Sequence, residues 1–458
     1  MASAEKRYKV RNGRTTKQFT WRARYLKPDG TQGSEPGFPT KVKAEEWGEE
    51  QERKIREGTW IDPDLYRSAF GVFARKYMAE RPKRGRTMDT RWDNLDRYIL
   101  PEWEHAPLIS VTWFDVDSWQ MTLPCDDVTK GHCVSLMSTI LTGAVDARWL
   151  PINPIAGRQR TKAVVHTPAF ASAAGDEEKT FTPEAVLQVA ERLGPAKGLH
   201  VITTAWTGVN WGEGLGLQRA NALAKRRQPW GKNSFWECFV LRIVQEVAEY
   251  EDRDEHGKKL GTVLRLEPTK NEFRTRDLDL PPFLSRLWFQ HLADWPYDFV
   301  LSTPTDGKWW RRSNWLKQLR PAADGRPERK KRQGVSARPE WKPIATGMTM
   351  RGLRHTHDSW QDEIGVRAAL AFEQAGHKRP GIKRVYQHPT PTMRQERLDG
   401  MEEIFWQAMG NLGWTSLWGR VSLVKPPAEV DLPNLPQTIS IDDWRQAKRG
   451  YRSRSEAM

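Results

Sequence analysis

The chain has 458 residues, enough for two or three domains, and carries 73 Lys and Arg against 58 Asp and Glu, a formal charge of +15. That balance argues against an acidic, self-solvating chain and favours a polyanionic partner, nucleic acid before membrane, because each neutralised phosphate releases condensed counterions. No stretch approaches the roughly 20 apolar residues that span a bilayer. Met1–Arg14 lacks the apolar segment of a secretory signal, and Cys125, Cys133 and Cys238 are too scattered for a disulfide framework or a zinc knuckle, so a reducing, cytoplasmic setting is expected.

Residues 1–60 read as a small β/α module. Phe19-Thr20-Trp21-Arg22-Ala23-Arg24-Tyr25 alternates as a half-buried strand should, Pro28-Asp29-Gly30 turns the chain, and Thr40 can cap a helix running through Ala44 and Trp47 to about Gly58. Arg22 and Arg24 fall on the strand's exposed face, either as phosphate contacts or as an ordinary solvated edge. Residues 64–158 turn helical: Phe70, Phe73 and Tyr77, then Leu95, Tyr98 and Ile99 before a break at Pro101, then Val116 and Trp119, then Val134, Met137, Ile140, Leu141 and Ala144. Lys83, Arg84 and Arg86 lie on a loop of this bundle, within reach of a DNA backbone. Residues 159–180 form a linker, 181–410 a larger domain opening at the N-cap Thr182-Pro183-Glu184, and 411–458 a Pro-rich, basic tail. The 23 Trp are expected mainly as core anchors.

Strand transfer through a tyrosine needs a phenol in line, cations on the non-bridging oxygens, a proton donor for the leaving 5′ oxygen and a means of taking up the phenol proton. It needs neither metal nor cofactor, because the phosphotyrosine conserves the bond energy. The last third of the chain offers those residue types in order. Arg354 stands on a helix whose apolar stripe is Leu353, Trp360 and Ile364, with Arg351 one turn earlier. His377 follows Ala375-Gly376, and Ile382–His388 can form two helical turns presenting Tyr386. Upstream, Lys270 precedes Arg274 and Arg276 in what reads as a hairpin between two strands. His355 and His357 point about 200° apart on one helix and cannot share a metal. Glu251, Asp252 and Asp254, like Asp277 and Asp279, read as solvated hairpin carboxylates.

With these segments in hand, the chain resembles the tyrosine recombinase (phage-type integrase) family over residues from about 18 to 410. The likeness lies in Thr207-Gly208-Val209-Asn210-Trp211-Gly212-Glu213, Pro268-Thr269-Lys270, Leu353-Arg354-His355-Thr356, Ala375-Gly376-His377 and Tyr386. It implies a multidomain, mainly α protein: a β-rich arm-binding-like module, a helical SAM-like core-binding domain and an α+β catalytic domain. It also implies that Tyr386 attacks the phosphate, Arg354 clamps it, Lys270 protonates the leaving oxygen, His377 bonds a non-bridging oxygen and Glu213 supports the cleft. The implied partners are double-stranded DNA, a tetramer of the chain on two DNA sites, and an accessory DNA-bending or directionality factor. The implied setting is the nucleoid of a bacterium hosting a phage or mobile element.

Two positions depart from the family. Asn210 stands where the family has its first phosphate-binding arginine, and Arg351 where it has a histidine that assists proton transfer. Arg219, nine residues past Asn210 and about 180° round a continuing helix, cannot replace the lost charge; the expectation is that Arg351 leans onto the phosphate instead. The rival reading is a DNA-binding relative that occupies sites without cutting, and a topoisomerase-like relaxing enzyme shares the chemistry. Arg276 and the run Arg329, Lys330, Lys331 and Arg332, read as a loop between Pro321 and Pro339, are further candidate DNA contacts. Met401, Ile404, Phe405, Ala408 and Met409 make an apolar helix face that either meets a neighbouring protomer or packs on its own domain.

Overall fold

The computed structural model describes residues 2–11, 14–81, 85–161, 180–254, 257–378, 388–419 and 421–422. Lys83, Arg84, Tyr386, residues 162–179 of the expected linker and most of the expected tail lie outside the described residues. The chain divides into two compact units, Met1–Ser172 with Glu249–Val263, and Ala173–Ala248 with Leu264–Met458.

In the first unit, β1 (Ser3–Arg11), β2 (Arg14–Leu26) and β3 (Gln32–Phe38) form an antiparallel sheet in that order. Alternation along β2 buries Ala23 and Tyr25 on the side of α1 (Lys41–Arg56), whose first turn is capped by Thr40 accepting from Lys43 N–H at 3.3 Å. Arg22 and Arg24 take the other face. Arg24 is already engaged there: its Nε donates to Glu5 at 2.9 Å and its Nη1 to Gln32 at 2.8 Å.

The helical part comprises α2 (Pro63–Tyr66), α3 (Phe70–Glu80), α4 (Gly85–Asn94), a π-turn (Leu95–Ile99), α5 (Leu100–Trp103), α6 (Trp113–Thr122) and α7 (Asp127–Asp146). Its core joins Phe70, Phe73, Leu95, Ile99, Val116, Met137, Ile140 and Leu141. Pro101 does not break its helix as expected. A proline in an α-turn meets the carbonyl four residues back, and the chain avoids this by widening one turn earlier, where Leu100 N–H reaches Leu95 O. The segment Glu249–Val263 belongs to this unit and is the hairpin expected, with Asp254 N–H donating to Lys258 O at 3.0 Å and Asp252 exposed; Glu251 departs from that expectation, pairing with Arg253 at 2.5 Å while its N–H donates to Asp89 at 3.1 Å.

The second unit opens with α8 (Pro183–Leu193) and α9 (Pro195–Thr207), then α10 (Trp211–Leu215). Thr182 caps α8 as its sequence suggests. The strands of this unit are β4 (Ala224–Pro229), β5 (Phe235–Ile243) and β8 (Arg276–Asp279), while β6 (Gln245–Arg253) starts in it and β7 (Lys259–Pro268) ends in it, each sharing its other half with the first unit. Sheet order is β4-β5-β8, antiparallel, with β6 and β7 paired separately. Lys270 is therefore not on a hairpin joining β7 to β8; it lies on a connection between two different sheets. Next come α11 (Pro282–Asp294), α12 (Arg312–Asp324), α13 (Met350–Glu363), α14 (Ala368–Ala375) and α15 (Pro391–Asn411).

The core of this unit is built on large aromatics. Trp206, Trp288, Trp315, Phe283 and Phe405 are almost wholly buried, which accounts for part of the tryptophan excess. The apolar face of α15 packs on its own domain: Phe405 stacks on Phe283 at 3.7 Å and the Trp206 indole N–H donates to Met401 O at 3.0 Å. It is not a partner surface.

Candidate active site

The site is assembled where α9 ends. Gly208 closes that helix in the left-handed region at φ 67°, and a Cβ there would sit 2.6 Å from the His357 ring, so glycine is required twice over. The turn frees Gly208 O to accept from Arg354 Nη1 at 2.6 Å. Asn210 then starts α10, and Glu213 reaches back to the Asn210 backbone N–H at 3.1 Å and its side-chain amide at 2.9 Å.

Glu213 is 0% exposed and is the anchor of the cluster. Arg276 donates to it with both terminal nitrogens, at 3.1 and 2.9 Å, and Arg274 Nη1 reaches the same Oε1 at 3.2 Å. Burial alone would push this carboxyl up. The Arg276 guanidinium and the bonds from Arg276 and Asn210 override it and hold the group at about 2, so Glu213 is ionised at neutral pH. Arg276 also sends Nε to Gln374 O at 2.8 Å and Nη1 to Arg274 O at 2.9 Å. Each of its guanidinium nitrogens thus has a partner inside the protein, which makes Arg276 a buried strut and not the DNA contact expected of it.

Arg354 comes from α13 and is nearly buried, with Nη2 donating to Ala375 O at 2.6 Å and lying 3.4 Å from His377 Nε2. His377 is placed by Gly376, which ends α14 at φ 67° and whose missing side chain leaves room for Arg276 Nη1, 2.9 Å from where a Cβ would stand. Burial, then the Arg354 and Arg274 charges, lower the His377 pKa, so its ring is neutral at pH 7 and presents a hydrogen bond without a charge. A cleft of about 400 Å³ opens along this wall, lined by Arg226, Phe273, Thr275, Arg276, Glu373 and His377.

Five sequence-selected residues therefore make one cluster of two hydrogen-bonded groups, Asn210, Glu213 and Arg276 in one and Arg354 with His377 in the other, held side by side through the successive carbonyls of Gln374 and Ala375. Lys270 is exposed on its connection, outside that cluster. Arg351 is also exposed, with Nε 3.2 Å from His355 Nε2 further along α13, and the charge next to Asn210 comes instead from Arg274. Spacing along the chain favours Lys270 and Arg276, and the sequence signal for Arg274 is its place between them. Arg219 lies elsewhere, donating to Leu292 O at 2.8 Å and to Trp295 O, because α10 stops at Leu215 rather than continuing as expected. Asp279 is fully buried, not solvated: Arg226 donates to it at 2.6 Å and Arg394 at 2.9 Å. Among the described residues no three His, Cys, Asp or Glu side chains are grouped to hold a metal.

Arg329, Lys330, Lys331 and Arg332 are all exposed, but on a narrow hairpin rather than a loose loop, bridged at Arg326–Trp341, Arg329–Arg338 and Arg332–Val335. The Arg326 guanidinium lies 3.3 Å over the Trp341 ring at its base. Arg86 is exposed in the first turn of α4.

No family model and no curated protein matches the chain. Solved structures do. The Tn1549 transposon integrase in complex with transposon right-end DNA aligns at TM-score 0.44 and 12% identity, over 72% of this chain and 98% of that one. A lambda integrase tetramer bound to a Holliday junction aligns at 0.41 and 12%, over 78% and 93%. A lambda integrase dimer bound to a COC′ core site aligns at 0.42 and 13%, over 80% and 91%. The chain is similar to these integrases at scores that leave the weight of any assignment on the cluster itself.

Proposed function

We propose that this chain is a site-specific DNA recombinase of the tyrosine type, acting in the integration or excision of a mobile element. The observation that supports this best is the pairing of Arg354 with His377 beside the buried Glu213 carboxylate that holds Arg276 and Arg274, from segments far apart in sequence, in a protein of charge +15. Fixed guanidinium donors beside a neutral imidazole suit a phosphodiester, whose negative charge grows on the non-bridging oxygens as a nucleophile adds.

In this reading the Tyr386 phenol gives up its proton to solvent as its oxygen attacks phosphorus, and the bond from phosphorus to the 5′ oxygen breaks. The 3′ end is left as a phosphotyrosyl ester, and Lys270 gives its proton to the departing 5′ oxygen. The 5′ hydroxyl of a partner strand then attacks the ester and returns the phenol. Arg354 holds the non-bridging oxygens, His377 bonds one of them, and Glu213 through Arg276 keeps the wall in place. Rejoining through a junction calls for four active sites on two duplexes, hence a tetramer, with a bending or directionality factor where the DNA path must be set. Basic Arg22, Arg86 and the hairpin bearing Arg329–Arg332 would track the backbone.

A second reading, a relative that binds sites but does not cut, is favoured by Asn210, whose amide is turned onto Glu213. Nicked duplexes randomised around the nick separate the two. Protein-linked strands recovered with the wild type and lost in Tyr386→Phe support the recombinase, whereas DNA retained only non-covalently supports the binder.

A further inference from the structure

We propose that Arg274 supplies the phosphate-binding charge that Asn210 lacks, making it a catalytic residue of the strand-transfer site. This rests on the recombinase reading and adds a residue to it. Arg274 Nη1 and the Asn210 amide nitrogen both bond to Glu213 Oε1, at 3.2 and 2.9 Å, so the guanidinium stands within two hydrogen-bond lengths of the side chain whose charge is missing. Its backbone is fixed from both sides: its N–H donates to the Asn271 side chain at 3.2 Å and its carbonyl accepts from Arg276 at 2.9 Å.

Arg274 differs from its neighbour in what it has left to offer. Arg276 is 4% exposed, gives Glu213 a two-pronged pair and has a protein partner at each guanidinium nitrogen. Glu213 is already matched in charge by that pair. Arg274 adds a single longer bond, and 22% of its side chain is open. Its flanking residues Phe273, Thr275 and Arg276 line the same cleft as His377, and its charge acts on both Arg354 and His377. The addition step places two negative charges on the non-bridging oxygens. Arg354 and Arg274 together match them, whereas Arg354 alone does not.

The test uses a duplex recovered from the randomised pool, resynthesised with either a phosphate or an uncharged methylphosphonate at the cleaved position. Arg274→Gln keeps a donor for Glu213 while removing the charge. It should slow covalent adduct formation on the phosphate duplex by about 10²–10³-fold, with DNA binding retained, and most of that deficit should vanish on the methylphosphonate. Arg274→Ala should behave alike. An equal loss on both duplexes would mean that Arg274 only holds the wall, and an unchanged rate on phosphate would mean that its charge is not used; either overturns the proposal while the recombinase reading stands. Absence of any adduct from the wild type overturns both.

Discussion

Replacing Glu213 by glutamine preserves the side chain's size and removes one buried charge. Arg276 would then keep a positive charge with almost no water near it, and the new amide would face donors whichever way it turned. Breaking a buried pair by removing one partner costs about 3–5 kcal/mol. The carboxyl's own titration gives a comparable figure: a pKa that falls from 4.5 to about 2 on folding contributes about 3 kcal/mol at neutral pH. Because the folded-state value is the lower one, that contribution is complete above about pH 4.5 and lost as pH falls towards 2. Urea unfolding followed by tryptophan fluorescence, repeated from pH 7 down through this window, reads both effects. Glu213→Gln should lose about 3 kcal/mol at pH 7 and show a flatter decline in acid. If the variant unfolds at the wild-type midpoint, or declines as steeply below pH 4.5, Glu213 is not the anchor described here.

Gly376→Ala forces a side chain into the left-handed region and towards Arg276, and should cost about 1–2 kcal/mol in urea unfolding while lowering adduct yield through the displaced His377. The His377 ring should titrate below an ordinary histidine by NMR, and Arg274→Gln should move its midpoint upward, since one of the charges opposing its protonation is then gone. Replacing Arg329, Lys330, Lys331 and Arg332 together by alanine should reduce the slope of log affinity against log salt by about 3–4 on any duplex, without changing which sequence is preferred. Asn210→Arg should raise adduct formation in the Arg274→Ala background and leave it little changed in the wild type; an equal rise in both would mean that Arg274 and position 210 do not share a task.

What could be read from the sequence was set by short-range physics. The caps at Thr40 and Thr182 need only a hydroxyl before a helix, and the alternation around Ala23 and Tyr25 needs only a period of two. Family spacing led to Glu213, Arg354 and His377. What escaped was decided across space. The β6–β7 hairpin lies at the acidic turn the sequence marks, but nothing local says that β8 then leaves β7 to pair with β5. Pro101 looked like a stop because the widened turn before it leaves no residue pattern. Arg274 and Arg276 are chemically alike two positions apart, and only the folded positions of Gln374 and Glu213 make one a strut and leave the other partly open.

The strut arrangement explains how so much positive charge can be held on one wall. β8 is only four residues long, too short for its ladder with β5 to fix it firmly. It is instead pinned at both ends by buried ion pairs, Arg276 to Glu213 at its start and Asp279 to Arg226 and Arg394 at its finish. Arg394 belongs to α15 and continues to Glu373 on α14 at 2.7 Å, while Arg276 reaches Gln374 O on that same helix. The helix that delivers His377 is thus tied to both ends of the strand, and each buried carboxylate holds more than one guanidinium. On the proposed reading, Arg276, Arg226 and Arg394 are the struts, and Arg354 with the partly exposed Arg274 would meet a phosphate in a site whose geometry is set before DNA arrives.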